Sequence, residues 1–314
     1  MKNFADRLNS EIEARGTAAI VGIDPRFELL PMPLRRKFDG ARGGSLRGLV
    51  SAIRTFSQEI IDIVAPHVAA VKPQIAFFEM YGWIGLQAYA EVVRYARKAG
   101  LIVIGDVKRG DIGSTALAYA TGHLGEIPVA GHLAEMWMED AVTVNPYLGS
   151  DSIEPFLVQV RERGKGIFVL VRTSNPSGAE IQDLEAVGKP IYLHVAELVR
   201  RWGADSIGEQ GFSSVGAVVG ATCPEEARRI RAALPEAMFL VPGYGAQGAT
   251  AEDLRGAIRD DGRGVVVNSS RGIIFAHRRK PYMDEFGETR WQEAVEAALK
   301  DMILDLSTIY SGGV

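Results

Sequence analysis

Eight short apolar runs rich in β-branched residues recur along this chain, each followed by a longer stretch. The runs are Ala18–Ile23, Ala69–Val71, Leu101–Gly105, Ala141–Asn145, Ile167–Val171, Val215–Val219, Met238–Val241 and Val265–Asn268. They are continuously apolar instead of alternating, the pattern of parallel strands covered on both faces. Helical periodicity between them is clearest at Trp83–Lys98, Glu225–Leu234, Ala251–Ile258 and Thr289–Ile309. Phe4, Leu8 and Ile12 add one apolar stripe on an N-terminal helix.

Eight β/α units in 314 residues predict an α/β fold of the closed (β/α)8 TIM-barrel type. The runner-up, a doubly wound open sheet, wants a G-x-G-x-x-G turn after its first strand, and Val21-Gly-Ile-Asp-Pro25 is not one. No composition break divides the chain, so residues 1–314 are expected to form a single domain. Two long connections, at about 26–45 and 175–190, are candidate lids or mobile excursions.

Composition excludes several functions. A formal net charge of −4 with basic residues spread throughout gives no electrostatic footprint for a nucleic-acid partner. No apolar run approaches the ~20 residues of a membrane span, and the charged N-terminus lacks a signal peptide's apolar centre. A lone cysteine, Cys223, fits a reducing compartment and reads as a small packing residue; the expected location is cytoplasmic.

In a barrel of this kind the active site lies at the C-terminal ends of the strands. Those ends carry Asp24, Lys72, Asp106 with Lys108, Asn145, Thr173 with Ser174, Thr222, Gly243–Gln247 and Ser269–Arg271. Singly, Asp24, Asn145 and Thr222 read as ordinary turn residues, and Lys72 as a lysine snorkelling out of the core. Together they place polar groups on nearly every strand end of one face. The densest group is Asp106, Lys108 and Asp111. Strand alternation points Asp106 and Lys108 the same way, and Gly110 offers a turn that brings Asp111 back toward them. Such charges are costly at the end of a core strand unless they pair or do chemistry.

The last two ends suggest a phosphate. The glycine-rich turn Pro242-Gly-Tyr-Gly-Ala-Gln-Gly248 can present backbone N–H groups, and Arg271 adds a guanidinium suited to bidentate binding. Loops after strands seven and eight are the usual phosphate site of such barrels. Metal and nucleophile readings fare worse. The five histidines form no H-x-x-x-H pair, His123 and His132 read as helix-surface or loop residues, and Ser174 has no nearby histidine base.

Asp106-Val-Lys108-Arg-Gly-Asp111-Ile-Gly-Ser-Thr115 resembles the D-x-K-x-x-D-I-x-x-T signature of the orotidine 5′-phosphate decarboxylases. The resemblance extends to Gly22-Ile-Asp24-Pro, Val71-Lys72-Pro-Gln, Pro242-Gly-Tyr-Gly-Ala-Gln247-Gly and Ser270-Arg271-Gly272-Ile, and the long connections resemble the longer bacterial branch. It implies a carboxy-lyase of de novo pyrimidine (UMP) biosynthesis, converting orotidine 5′-monophosphate to uridine 5′-monophosphate and CO2 without metal or organic cofactor. Lys108 would stabilise and protonate the C6 carbanion, with Asp106, Lys72 and Asp111 completing a catalytic charged row. Asp24 and Lys72 would contact the ribose, Ser174 (or Thr173 beside it) the pyrimidine, and Gln247, Arg271 and the backbone near Ser270 the phosphate. Asp111 and Thr115 would serve the neighbouring subunit of a homodimer with shared sites. The rivals are a Mg²⁺-dependent sugar-phosphate decarboxylase or aldolase barrel, disfavoured because Lys72 stands where an acidic ligand is needed, and a catalytically silent nucleotide-binding barrel.

Overall fold

The computed structural model describes residues 2–36, 44–245 and 248–309. Its centre is a closed barrel of parallel strands: β1 (Ala19–Ile23), β2 (Ala70–Pro73), β3 (Ile102–Arg109), β4 (Ala141–Val144), β5 (Gly166–Arg172), β6 (Ser213–Val219), β7 (Ala237–Pro242) and β8 (Val265–Ser269). Around the ring the order is β1-β8-β7-β6-β5-β4-β3-β2. Closure by β1 against β8 registers Ala19 with Val267. The expected (β/α)8 barrel is therefore the observed one. Each predicted apolar run forms one of its strands.

The core divides into two layers, which is why the strands read as uninterrupted apolar runs. Ile20, Ala70, Ile102, Ile104, Phe168, Val218, Leu240 and Val266 share an inner cluster with Phe4 and Leu8. Phe4 and Leu8 belong to α1 (Phe4–Arg15), begun by Asn3, whose side chain accepts from the N–H groups of Ala5 and Asp6. Phe4 meets Phe168 edge-on at 6.0 Å, so this helix stoppers the barrel. The opposite strand faces pack against α2 (Leu46–Val64), α3 (Gly82–Lys98), α4 (Gly113–Leu124), α5 (Ser150–Arg163), α6 (Ile191–Gly203), α7 (Pro224–Ala233) and α8 (Trp291–Ser307). α2 shows how: Val50, Ile53, Phe56, Ile60, Ile61 and Val64 recur on one buried face. Each large apolar side chain so buried contributes roughly 1.5–3 kcal/mol.

Three details differ from the sequence expectation. The stretch expected as a helix over Ala251–Ile258 is a six-residue 3-10 helix, Glu252–Ala257. Gly256 lies so close to the carbonyl of Pro224 that the segment packs as a tight turn on the start of α7. β3 runs four residues past Gly105, carrying Asp106 and Lys108 inside the strand. His123 is buried within α4 and not on its surface. The connection at 175–190 is itself structured, with a 3-10 turn (Pro176–Gly178), a helical turn (Ala179–Gln182) and a small antiparallel ribbon pairing Glu185 with Pro190. No helix among the described residues is long and apolar enough to cross a membrane.

Candidate active site

Lys72, at the end of β2, and Lys108, near the end of β3, hold the two oxygens of one carboxylate. Lys72 Nζ donates to Asp106 Oδ2 at 2.6 Å, and Lys108 Nζ donates to Oδ1. Thr143 of β4 also donates to Oδ1, at 3.0 Å. The same Thr143 oxygen accepts the backbone N–H groups of Val107 and Lys108, each at 3.0 Å. One hydroxyl thus uses its single donor and both lone pairs. Regular pairing of β3 with β4 is interrupted between Gly105 and Arg109, and Lys108 takes φ +44°. A left-handed conformation costs a non-glycine residue about 1–2 kcal/mol, and Thr143 supplies hydrogen bonds that hold it there. Alternation along a regular strand is therefore not what aims Lys108; the irregular backbone and Thr143 aim it.

Burial alone would push the Asp106 carboxyl above the usual range, but the two ammonium groups outweigh it and hold the carboxyl well below. Burial would likewise lower Lys72, yet Asp106 and then Asp24 raise it, so Lys72 stays charged. Lys72 is sealed in, its side chain 5% exposed, whereas Lys108 is 47% exposed. Both lysines line the cavity, and Lys108 presents the more accessible ammonium to an incoming group. Asp24 is pushed upward by burial, partly offset by Lys72. Its Oδ1 is buried without a hydrogen-bond partner among the described residues.

These groups open on a cavity of about 460 Å³ whose other wall comes from the connection after β5. Ser174, Asn175, Gly178, Ile181 and Gln182 lie along it. Gln182 clamps Thr173, accepting its backbone N–H at 2.9 Å and donating to its hydroxyl at 2.8 Å. Arg172 holds the same segment through Asp183, with Nη2 to Oδ2 at 3.0 Å. Thr173 is thus occupied, while no hydrogen bond to the Ser174 hydroxyl occurs among the described residues. A Cβ at Gly220 would sit 2.8 Å from the Ser174 backbone, so only glycine lets β6 approach this closely.

Of the residues singled out in the sequence, Lys72, Asp106, Lys108, Thr173 and Ser174 line the cavity. Asp24 and Ser270 stand beside it, Asp24 coupled to Lys72 by charge and close to Ser270. Asp111 does not turn back to Asp106: its Oδ1 accepts from the N–H of Ile112, and it lies outside the cavity lining. Thr115 is exposed on α4. Arg271 lines a neighbouring hollow of about 470 Å³ with Tyr244, Arg279 and Asp305. Gln247 lies outside the described residues. Thr143 and Gln182 escaped the sequence reading. A hydroxyl inside the apolar run Ala141–Val144 was the available signal for Thr143; Gln182 had none, because only the folded loop brings it to Thr173.

The model of the orotidine 5′-phosphate decarboxylase / HUMPS family matches residues 51–283. The orotidine 5′-phosphate decarboxylase of Rhodopirellula baltica is 49% identical over 302 residues, covering 96% of this chain and 98% of that protein. The enzyme of the same name from Caldicellulosiruptor bescii is 43% identical over 284 residues, covering 90% and 93%. Among solved structures, Leishmania donovani OMP decarboxylase superposes with a TM-score of 0.74 at 31% identity, covering 98% of this chain and 99% of that one. A charged row on β2 and β3, a cavity at the C-terminal rim and relatives matched end to end agree: this chain belongs to the orotidine 5′-phosphate decarboxylase / HUMPS family.

Proposed function

We propose that this chain decarboxylates orotidine 5′-monophosphate to uridine 5′-monophosphate and CO2, a step of pyrimidine biosynthesis. The carrying observation is the Lys72–Asp106–Lys108 array, in which a half-exposed ammonium is held at the cavity by a buried carboxylate. When the bond from C6 to the carboxylate breaks, its electron pair stays on C6, in the ring plane, where no π-system accepts it. A fixed positive charge must meet that pair. Lys108 supplies it, then transfers a proton to C6 and regains one from solvent. Asp106 keeps the ammonium aimed, and Lys72 and Thr143 keep Asp106 ionised and immobile. These hydrogen bonds fix the geometry of the array, so little reorganisation is left for the reaction step.

The remaining contacts follow from position. Ser174, whose hydroxyl has no hydrogen-bond partner among the described residues, reads the pyrimidine edge, and Asp24 with Lys72 meets the ribose. Gln247, Ser270 and Arg271 take the phosphate from the ends of β7 and β8. Lys72 places an ammonium between the Asp24 and Asp106 carboxylates, which supports charge stabilisation by lysine over a Mg²⁺-dependent sugar-phosphate reaction. The whole chain, 1–314, acts as one domain.

A homodimer with shared sites accounts for Asp111 and Thr115, which lie outside their own cavity. The connections after β2, β3 and β4, neighbours on one rim, expose Met80, Trp83, Ile112, Leu117 and Tyr147, and exposed apolar surface of this kind marks an interface. The lone buried thiol of Cys223 suits a reducing compartment such as the cytoplasm. Loss of orotidine 5′-monophosphate absorbance, followed with a chelator present, tests the reaction. Sedimentation of the same sample tests the dimer.

A further inference from the structure

Behind the strand that carries Asp106 lies a buried carboxylate that the reaction does not use. Glu139 has no exposed surface. Tyr89 of α3 donates to its Oε1, and His123 Nδ1 of α4 lies 2.7 Å from its Oε2. Its own carbonyl accepts from Lys165 Nζ at 2.8 Å. Trp137 covers the group, its ring 6.0 Å from that of His123 and 5.6 Å from that of Tyr89. Gly105, the residue before Asp106, passes so close that a Cβ there would fall 2.3 Å from Glu139 Oε1. A carboxylate without access to water is retained only with its donors in place. It therefore fixes α3, α4 and β3 relative to one another.

Of these three elements, α4 leads somewhere. It begins at Gly113, two residues after Asp111, and carries Thr115 in its first turn. Arg109 stacks 5.3 Å over the Tyr119 ring midway along it, and His123 pins its far end to Glu139. The helix is anchored at its middle and end, while Ile112 and Thr115 at its start are exposed on the rim and Asp111 before it is half-buried. We infer that Glu139, His123 and Tyr89 are positioning residues acting in trans: by fixing α4 they place Asp111 and Thr115 for the cavity of the neighbouring subunit. The inference rests on the shared-site reading above. An effect confined to the subunit's own cavity would instead run through Gly105 into Asp106.

Hybrid dimers separate the two routes. Subunits with different affinity tags are co-expressed and the mixed dimer isolated. One subunit carries Lys108→Ala with an intact clamp; the other carries His123→Gln with an intact Lys108. The His123→Gln homodimer should lose on the order of 10²-fold in turnover, the scale of an ångström-level misplacement. The hybrid should recover to about half the wild-type rate, because the intact α4 of one subunit completes the only site that has Lys108. Tyr89→Phe, a milder change that leaves the ring packed, should behave the same way with a smaller loss, and serves if His123→Gln does not fold. A parallel hybrid of Lys108→Ala with Asp111→Ala tests the shared site itself. Failure of that control to recover overturns the shared site and this inference with it. Recovery of the control without recovery of the clamp hybrids overturns the inference alone, as does wild-type turnover in both clamp homodimers.

Discussion

Thr143 donates to Asp106 Oδ1 at 3.0 Å while accepting two backbone N–H groups from the strand that carries Asp106. One hydroxyl on β4 therefore sets both the carboxylate and the left-handed backbone of Lys108. Thr143→Val should strand the Val107 and Lys108 N–H groups, costing about 1–3 kcal/mol of stability by urea titration. Turnover should fall on the order of tenfold or more as the ammonium loses its aim. Thr143→Ser, which keeps the hydroxyl, should stay within a few-fold of wild type. Equal activity in the Val and Ser variants would show that the hydroxyl positions nothing.

Asp106 is held well below its ordinary value of 3.8, because Lys72 and Lys108 outweigh burial. A depressed carboxyl contributes stability above its unfolded-state pKa and loses it as pH falls through the folded value. Asp106→Asn leaves Lys72 short of a partner and should cost roughly 3–5 kcal/mol at pH 7. That gap should stay constant down to about pH 4 and narrow only below it. Unfolding measured from pH 7 to 3 checks this, and a gap closing near pH 6 would contradict it.

Asp24 shows the opposite sign. Its folded pKa is raised by burial, so its ionised form is less at ease in the folded protein than in the unfolded chain. Its contribution is favourable only below the ordinary value of 3.8 and is lost as pH rises through the folded value. Asp24→Asn should therefore raise stability at pH 7, by about 1 kcal/mol, while raising KM through loss of the ribose contact proposed for it. A variant both less stable and unchanged in KM would contradict this account. Such an opposition of stability and function is expected where a site keeps a charge for its substrate.

How much of this was visible in the residues follows from range. The barrel was legible because its signal is local: strands buried on both faces must be apolar throughout, and eight of them leave few topologies. Lys72, Asp106 and Lys108 were legible because charges at the ends of such runs have no packing role. His123 was misread, since a histidine inside a helix looks the same whether or not a carboxylate sixteen residues on folds over it. The helix expected at 251–258 has a helical apolar pattern, but close packing of Gly256 on α7 tightens it to 3-10. Asp111 was placed beside Asp106 by treating Gly110 as a turn; the chain instead runs on toward α4.

Gly220 tests the pyrimidine wall. Gly220→Ala puts a methyl 2.8 Å from the Ser174 backbone and must push Ser174 outward. KM should rise on the order of tenfold with the fold intact by circular dichroism, the loss of one well-placed contact. Unchanged KM would remove Ser174 from the binding surface.

The central claim is that the Lys108 ammonium, aimed by Asp106, meets the electrons left on C6. Single-turnover decarboxylation by Lys108→Ala, measured beside titration of uridine 5′-monophosphate into the same preparation, addresses it directly. Turnover should fall by at least ~10⁴-fold, the combined scale of a lost fixed charge and a lost proton donor. The product should still bind, since the contacts proposed for Ser174 and the phosphate do not involve Lys108. Turnover within tenfold of wild type would contradict the account.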